Sequence, residues 1–231
     1  MSAKAQRTVV ITGAFGALGA AVAHGFLSAG ARIGLIDHAA VPRWAAQAFP
    51  APHTLLGGIN LADEAAAAAA LQAVAAGGTP EVLVNVAGGF RFETLTDGDT
   101  AWELMFTTNL KTAVVTSRAA LPYLRIRGGR IINIGAAAAA RGHAGTGAYA
   151  ASKAGVERLS ESLAEELKDH DITVNTVLPG TLDTPANRAA MPDADRTRWV
   201  QPDAVADVVL FLASEAARAV TGAAIRVTGR G

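Results

Sequence analysis

Short β-branched runs alternate with longer alanine- and leucine-rich stretches along the whole chain, and few folds admit that alternation. RTVVIT (7–12) stops at Gly13, as a buried strand would. GALGAAVAHGFLSAG (16–30) follows as a helix, with Leu18, Val22, Phe26 and Leu27 on one face and Gly30 as its stop. Further strands are expected at 31–37, 53–60, 81–88, 129–135, 172–180 and 223–229. Helices are expected from the alanine run 65–70 onward, and over 98–124, 147–168 and 201–214. Seven short strands joined by helical crossovers predict an α/β fold, a parallel sheet covered on both faces. No composition shift divides the 231 residues, so a single domain over 1–231 is expected. The least regular stretch, 179–200, has three prolines and many polar residues; it reads as a substrate lid.

Lys plus Arg equals Asp plus Glu at 20 each, which argues against nucleic-acid or anionic-membrane partners. Cysteine is absent, which excludes disulfides and thiolate metal sites, and no other motif calls for a metal. Neither a leader-type apolar segment nor an 18-residue uncharged apolar run is visible, so a cytoplasmic protein is expected.

Between the first strand and first helix lies Thr12-Gly13-Ala14-Phe15-Gly16-Ala17-Leu18-Gly19. Glycines here let a pyrophosphate approach backbone N–H groups at a helix N-terminus. A purely structural glycine turn is the alternative. Asp37 ends the second strand, 18 residues beyond Gly19. A carboxylate there accepts bonds from ribose hydroxyls and repels a 2′-phosphate, which favours NAD over NADP. A loop carboxylate or helix cap is the plainer alternative. Tyr149 and Lys153 sit four apart, on one helix face. An ammonium near a phenol favours phenolate and suits the pair to proton transfer.

Together TGAFGALG, NVAG (85–88), Asn109 in TTNLKT, Tyr149-x-x-x-Lys153 and PGTLDT (179–184) resemble the short-chain dehydrogenase/reductase family over essentially the whole chain. The resemblance implies one Rossmann-type, doubly wound sheet with strand order 3-2-1-4-5-6-7. It implies NAD held by Gly13, Phe15, Gly16, Leu18, Gly19, Asp37, Asn60, Ala87, Gly88, Pro179, Gly180 and Thr184. It makes Tyr149 the general acid, gives Lys153 both phenol and ribose, and sets Asn109 at a proton relay through water. It further implies a homodimer or homotetramer built on helices 98–124 and 147–168.

The family's serine, thirteen residues before the tyrosine, is here Ala136. The dihydropteridine reductase branch also has alanine there. VAGGF (86–90) and VLPGTLDTPANRAAMPDAD (177–195) resemble that branch, whereas Asn109 follows the wider family. The expected activity is therefore NADH-dependent hydride transfer to a quinonoid dihydropterin or similar conjugated ring. Ala136 would form a flat wall and Phe90 the opposite face. His143 and Thr146 are alternative donors to the substrate, and Arg91 and Arg141 are loop arginines in reach of an anionic one. Trp199 and Met191 are candidates to close over the substrate. A serine-less NAD-dependent carbonyl, imine or quinone reductase, or a non-catalytic NAD(H) sensor, are the other readings.

Overall fold

Residues 6–229 are described by a computed structural model. The N-terminal five residues, part of the leader reading, and the last two of the proposed domain lie outside them. Seven strands form one parallel sheet: β1 Thr8–Thr12, β2 Arg32–Ile36, β3 Thr54–Leu56, β4 Pro80–Asn85, β5 Gly129–Ile134, β6 Ile172–Pro179 and β7 Ala224–Val227. Their order is β3-β2-β1-β4-β5-β6-β7, as the resemblance implied. Helices are α1 Ala17–Ser28, α2 Arg43–Ala48, α3 Glu64–Ala75, α4 Thr100–Met105, α5 Thr112–Leu124, α6 Gly147–Leu167, α7 Pro185–Ala190 and α8 Pro202–Ala213.

Continuous apolar strands serve two cores because successive side chains face opposite ways. Val9 and Ile11 point with Ile33, Leu35 and Val84 into the layer of α1 and α8, against Val22, Phe26 and Val209. Val10, Leu83, Ile131 and Val174 point the other way, toward Leu71, Leu124 and Leu167 of α3, α5 and α6. β1 pairs on one side with β2 and on the other with β4. The chain reverses its winding there, which opens a crevice beyond the carboxyl ends of β1 and β4.

Several expected elements need correction. The helix over 98–124 is α4, then a π-helical turn at Phe106–Lys111, then α5. Leucine and alanine spacing reports an apolar face but not one extra residue in a turn. Strand 53–60 shrinks to three residues, because Gly57 and Gly58 turn the chain away from the sheet edge. α2 has no counterpart in the sequence reading; it is six residues long, too short to show a period. The stretch 179–200 is not structureless, since it contains α7. Among the described residues no helix is long and apolar enough to cross a membrane.

Candidate active site

A cleft of about 1470 Å³ runs along the carboxyl edge of the sheet. Its floor at one end is the turn between β1 and α1. Gly13 has φ +60°, and a Cβ on it would lie 2.7 Å from the Ala87 backbone. A Cβ on Gly19 would collide with the Gly13 carbonyl oxygen. Gly16, the N-cap of α1, offers no side chain to the first helical N–H groups. Those donors and the helix dipole face the cleft, an arrangement that suits a pyrophosphate. Thr12 Oγ1 accepts from Ala87 N at 3.2 Å and ties this turn to the end of β4.

Asp37 lies beside the turn. Its Oδ2 accepts from Phe15 N at 2.8 Å and its Oδ1 from Ala39 N at 2.9 Å. Two backbone bonds therefore fix the carboxylate at the cleft wall. Asn60 also lines the cleft, with Oδ1 accepting from Ala62 N at 3.1 Å. Phe15, Leu18, Ala87, Gly88, Pro179, Gly180 and Thr184 reach the same cleft from three parts of the chain. The residues present fit a dinucleotide, on the evidence of the glycine cradle and the uncapped α1 terminus.

α6 brings Tyr149 and Lys153 to the middle of the cleft. Lys153 is buried, and its Nζ donates to Ile134 O at 2.7 Å. Burial pushes the ammonium down to about 8. Burial pushes the Tyr149 phenol up. The expected lowering of the phenol by lysine is therefore not found in the protein alone. Removal from water is the cause, and it favours the protonated phenol, the form a general acid needs. Gly88 is wedged beside this pair. A Cβ there would lie 2.7 Å from Asn109 Oδ1 and 3.1 Å from Lys153 Nζ.

Asn109 sits in the π-helical turn and is buried. Its Oδ1 accepts from Gly89 N at 2.8 Å; its Nδ2 donates to Ser152 Oγ at 2.9 Å and to Gly89 O at 3.2 Å. The side chain is thus fully engaged in joining the β4 loop to α6 and does not line the cleft. A relay at Asn109 would have to use its backbone.

Ala136 and Ala138 line the wall beside Tyr149. Phe90 is 60% exposed and meets the Tyr149 ring edge-on, with centroids 5.0 Å apart and planes at 77°. Two expected donors are not brought in. Thr146 Oγ1 turns to His143 O at 3.0 Å and accepts from His143 N at 3.2 Å, and neither residue lines the cleft. Local side-chain to backbone bonding won over the site, as serine and threonine often allow. Arg91 and Arg141 are exposed and outside the lining. Trp199 instead packs against Arg196, 6.0 Å from the guanidinium carbon. Met191 does line the cleft. The sequence reading missed Phe92 and Asn187, which line it too. Phe92 stands two residues past Phe90, the spacing that puts both on one side of an extended segment.

A parallel sheet with a glycine turn, a fixed acidic residue and a tyrosine–lysine pair at its carboxyl edge suits a nucleotide-dependent oxidoreductase. The profile of the short chain dehydrogenase family matches residues 7–195, and the chain belongs to that family. It is 41% identical over 163 residues to a 3-oxoacyl-(acyl-carrier-protein) reductase of Pseudomonas aeruginosa, covering 66% of each chain. It is 38% identical over 162 residues to a (3R)-3-hydroxyacyl-CoA dehydrogenase of Rattus norvegicus, covering 65% of this chain and 62% of that one. The chain thus spans slightly under two thirds of the length of either relative. A solved short-chain dehydrogenase/reductase of Burkholderia thailandensis is 34% identical, with a TM-score of 0.84 over 98% of this chain and 92% of that one. One from Mycobacterium ulcerans is 27% identical, with a TM-score of 0.88 over 96% and 88%.

Proposed function

We propose that the protein is an NADH-dependent reductase of a flat conjugated ring, of the dihydropteridine reductase kind. The observation that carries this is the acceptor side of the cleft. Tyr149 offers its hydroxyl there; Ala136 and Ala138 line the cleft with it, and Phe90 packs edge-on against the Tyr149 ring. Ketone reduction places charge on one oxygen and gains from a second donor, whose loss typically costs about 10²–10³ in rate. A conjugated, nitrogen-rich ring spreads that charge over several atoms and asks for a flat wall. The likeness of 177–195 to the dihydropteridine reductase branch supports the same acceptor.

NADH supplies a hydride when bound. The Tyr149 hydroxyl gives the acceptor its proton. Lys153 uses one N–H on Ile134 O and keeps two for ribose hydroxyls and the phenol. Gly13, Gly16, Gly19 and the α1 terminus hold the pyrophosphate. Asp37 takes the adenosine ribose and rejects a 2′-phosphate. This makes NADH the preferred cofactor. The chain acts as one domain over 1–231, with 179–200 as its lid.

The names of the relatives favour a second reading, reduction of a 3-oxoacyl carbonyl. NADH oxidation with quinonoid dihydropterin generated in the cuvette, corrected for its direct chemical reaction, separates the two. The ring reading expects fast turnover with NADH, much slower turnover with NADPH, and loss of about 10²–10⁴ in rate for Tyr149→Phe with NADH binding retained. Ala136→Ser should then leave the ring activity no higher while raising activity on a 3-oxoacyl thioester. Turnover of the thioester by the unaltered protein, with none on the pterin, would sink the ring reading. Tight NADH binding with no turnover on either would favour a sensor.

A further inference from the structure

The chain leaves β6, makes an excursion over 184–199, and returns to start α8. The two feet of the excursion are stitched together. Val200 N donates to Thr181 O and Asp183 N to Val200 O, both at 2.8 Å, and Leu182 pairs with Val200 as a parallel β-bridge. Asp183 stands at this crossing. Its carboxylate accepts from Arg188 Nε at 2.5 Å, from Arg188 Nη2 at 2.8 Å and from Gln201 Nε2 at 2.9 Å. The Asp183 side chain is 8% exposed, against 53% for Arg188. The two-pronged arginine and the third donor hold the carboxyl down to about 2, so the group stays charged at any working pH.

One side chain thus joins the link after β6, the middle of α7 and the residue before α8. α7 is only six residues long, too short to hold its own orientation. Arg188 follows Asn187 on α7, and Asn187, Ala190 and Met191 line the cleft. Asn187 Nδ2 is itself spent on Leu182 O at 2.9 Å. Its carbonyl oxygen therefore remains to accept a bond. An exposed ion pair would contribute little. Here the arginine grips the carboxylate with two N–H groups and Gln201 adds a third donor, a geometry more specific than a single exposed contact.

We propose that Asp183, acting through Arg188 and Gln201, is a positioning residue that sets how α7 faces the acceptor and thereby fixes acceptor affinity. This rests on the proposed function, with Asn187 and Met191, which line the cleft, taken as part of its acceptor side. Asp183→Asn tests it with two readouts. The first needs no acceptor: limited trypsin digestion of the NADH-bound protein at Arg188, Arg196 and Arg198. Cleavage within 184–199 should quicken about tenfold in the variant while the melting temperature holds, because local opening is read separately from global unfolding.

The second readout is steady-state kinetics with quinonoid dihydropterin, and with phenanthrenequinone where the pterin is not reduced. The acceptor KM should rise about tenfold, with kcat within about threefold and NADH affinity unchanged, the signature of lost uniform binding. Arg188→Lys, which keeps charge but loses the fork, should fall between the two proteins. Unchanged cleavage together with unchanged KM overturns the proposal. So does a parallel loss of NADH and acceptor affinity, which would mark Asp183 as merely structural. If the unaltered protein reduces neither acceptor, the acceptor reading fails; the digestion alone then upholds or overturns the clamp.

Discussion

Lys153 shows what a single residue costs the fold and returns to the site. Unfolded, it would hold its proton to pH about 10.4; folded, it releases it near 8. Between those values the unfolded chain binds more protons, so stability rises with pH across that window. Below pH 8 the burial penalty is present in full, up to about 3 kcal/mol at 1.36 kcal/mol per unit. Lys153→Met should therefore melt higher than the unaltered protein at pH 7, by ~2–4 °C for each kcal/mol recovered. Loss of the bond to Ile134 O offsets part of that gain. The advantage should shrink as pH rises toward 10.5, while activity is lost at every pH. Melting curves for both proteins at pH 7 and 10 measure it; an equal or lower melting point for Lys153→Met at pH 7 would refute the burial argument.

Among the elements, the β1–α1 turn carries the strictest sequence demand. A methyl on Gly19 has nowhere to go, since the Gly13 carbonyl occupies its place. Gly19→Ala should weaken NADH binding by at least about tenfold and lower the melting point, as overpacking typically costs ~1–3 kcal/mol. Titration by nicotinamide fluorescence reads the first effect; binding within twofold of the unaltered protein would show that the turn is not the cradle. This turn was legible in the sequence because its glycines stand at fixed places between two periodic runs. The π-helical turn that sets Asn109 was not. Its extra residue is stabilised by bonds to Gly89 and Ser152, which are 20 and 43 positions away. Nor was the placement of Thr146 legible, since its hydroxyl chooses between the cleft and a carbonyl three residues back.

At the scale of the whole molecule, α4 and the turn after it carry several exposed apolar side chains. Trp102, Leu104 and Phe106 are all exposed, and the Trp102 and Phe106 rings stack with centroids 6.4 Å apart. A monomer rarely leaves such a patch bare. We expect a homodimer or homotetramer that covers it. Light scattering should give a mass of at least twice 23.5 kDa, and Trp102→Glu should lower it; a monomer in the unaltered protein would remove the claim.

The sequence by itself determined the seven strands, the helices long enough to show a period, the glycine turn after β1 and the family. Each is written in local periodicity or in short fixed spacings, which neighbours along the chain impose. Tertiary structure alone decided which candidates share the cleft. It took His143 and Thr146 out, brought Phe92 and Asn187 in, and raised the phenol that the motif was expected to lower. It also folded 179–200 back onto itself through Asp183. Those outcomes depend on burial and on bonds between residues far apart in the chain, and neither is encoded in spacing.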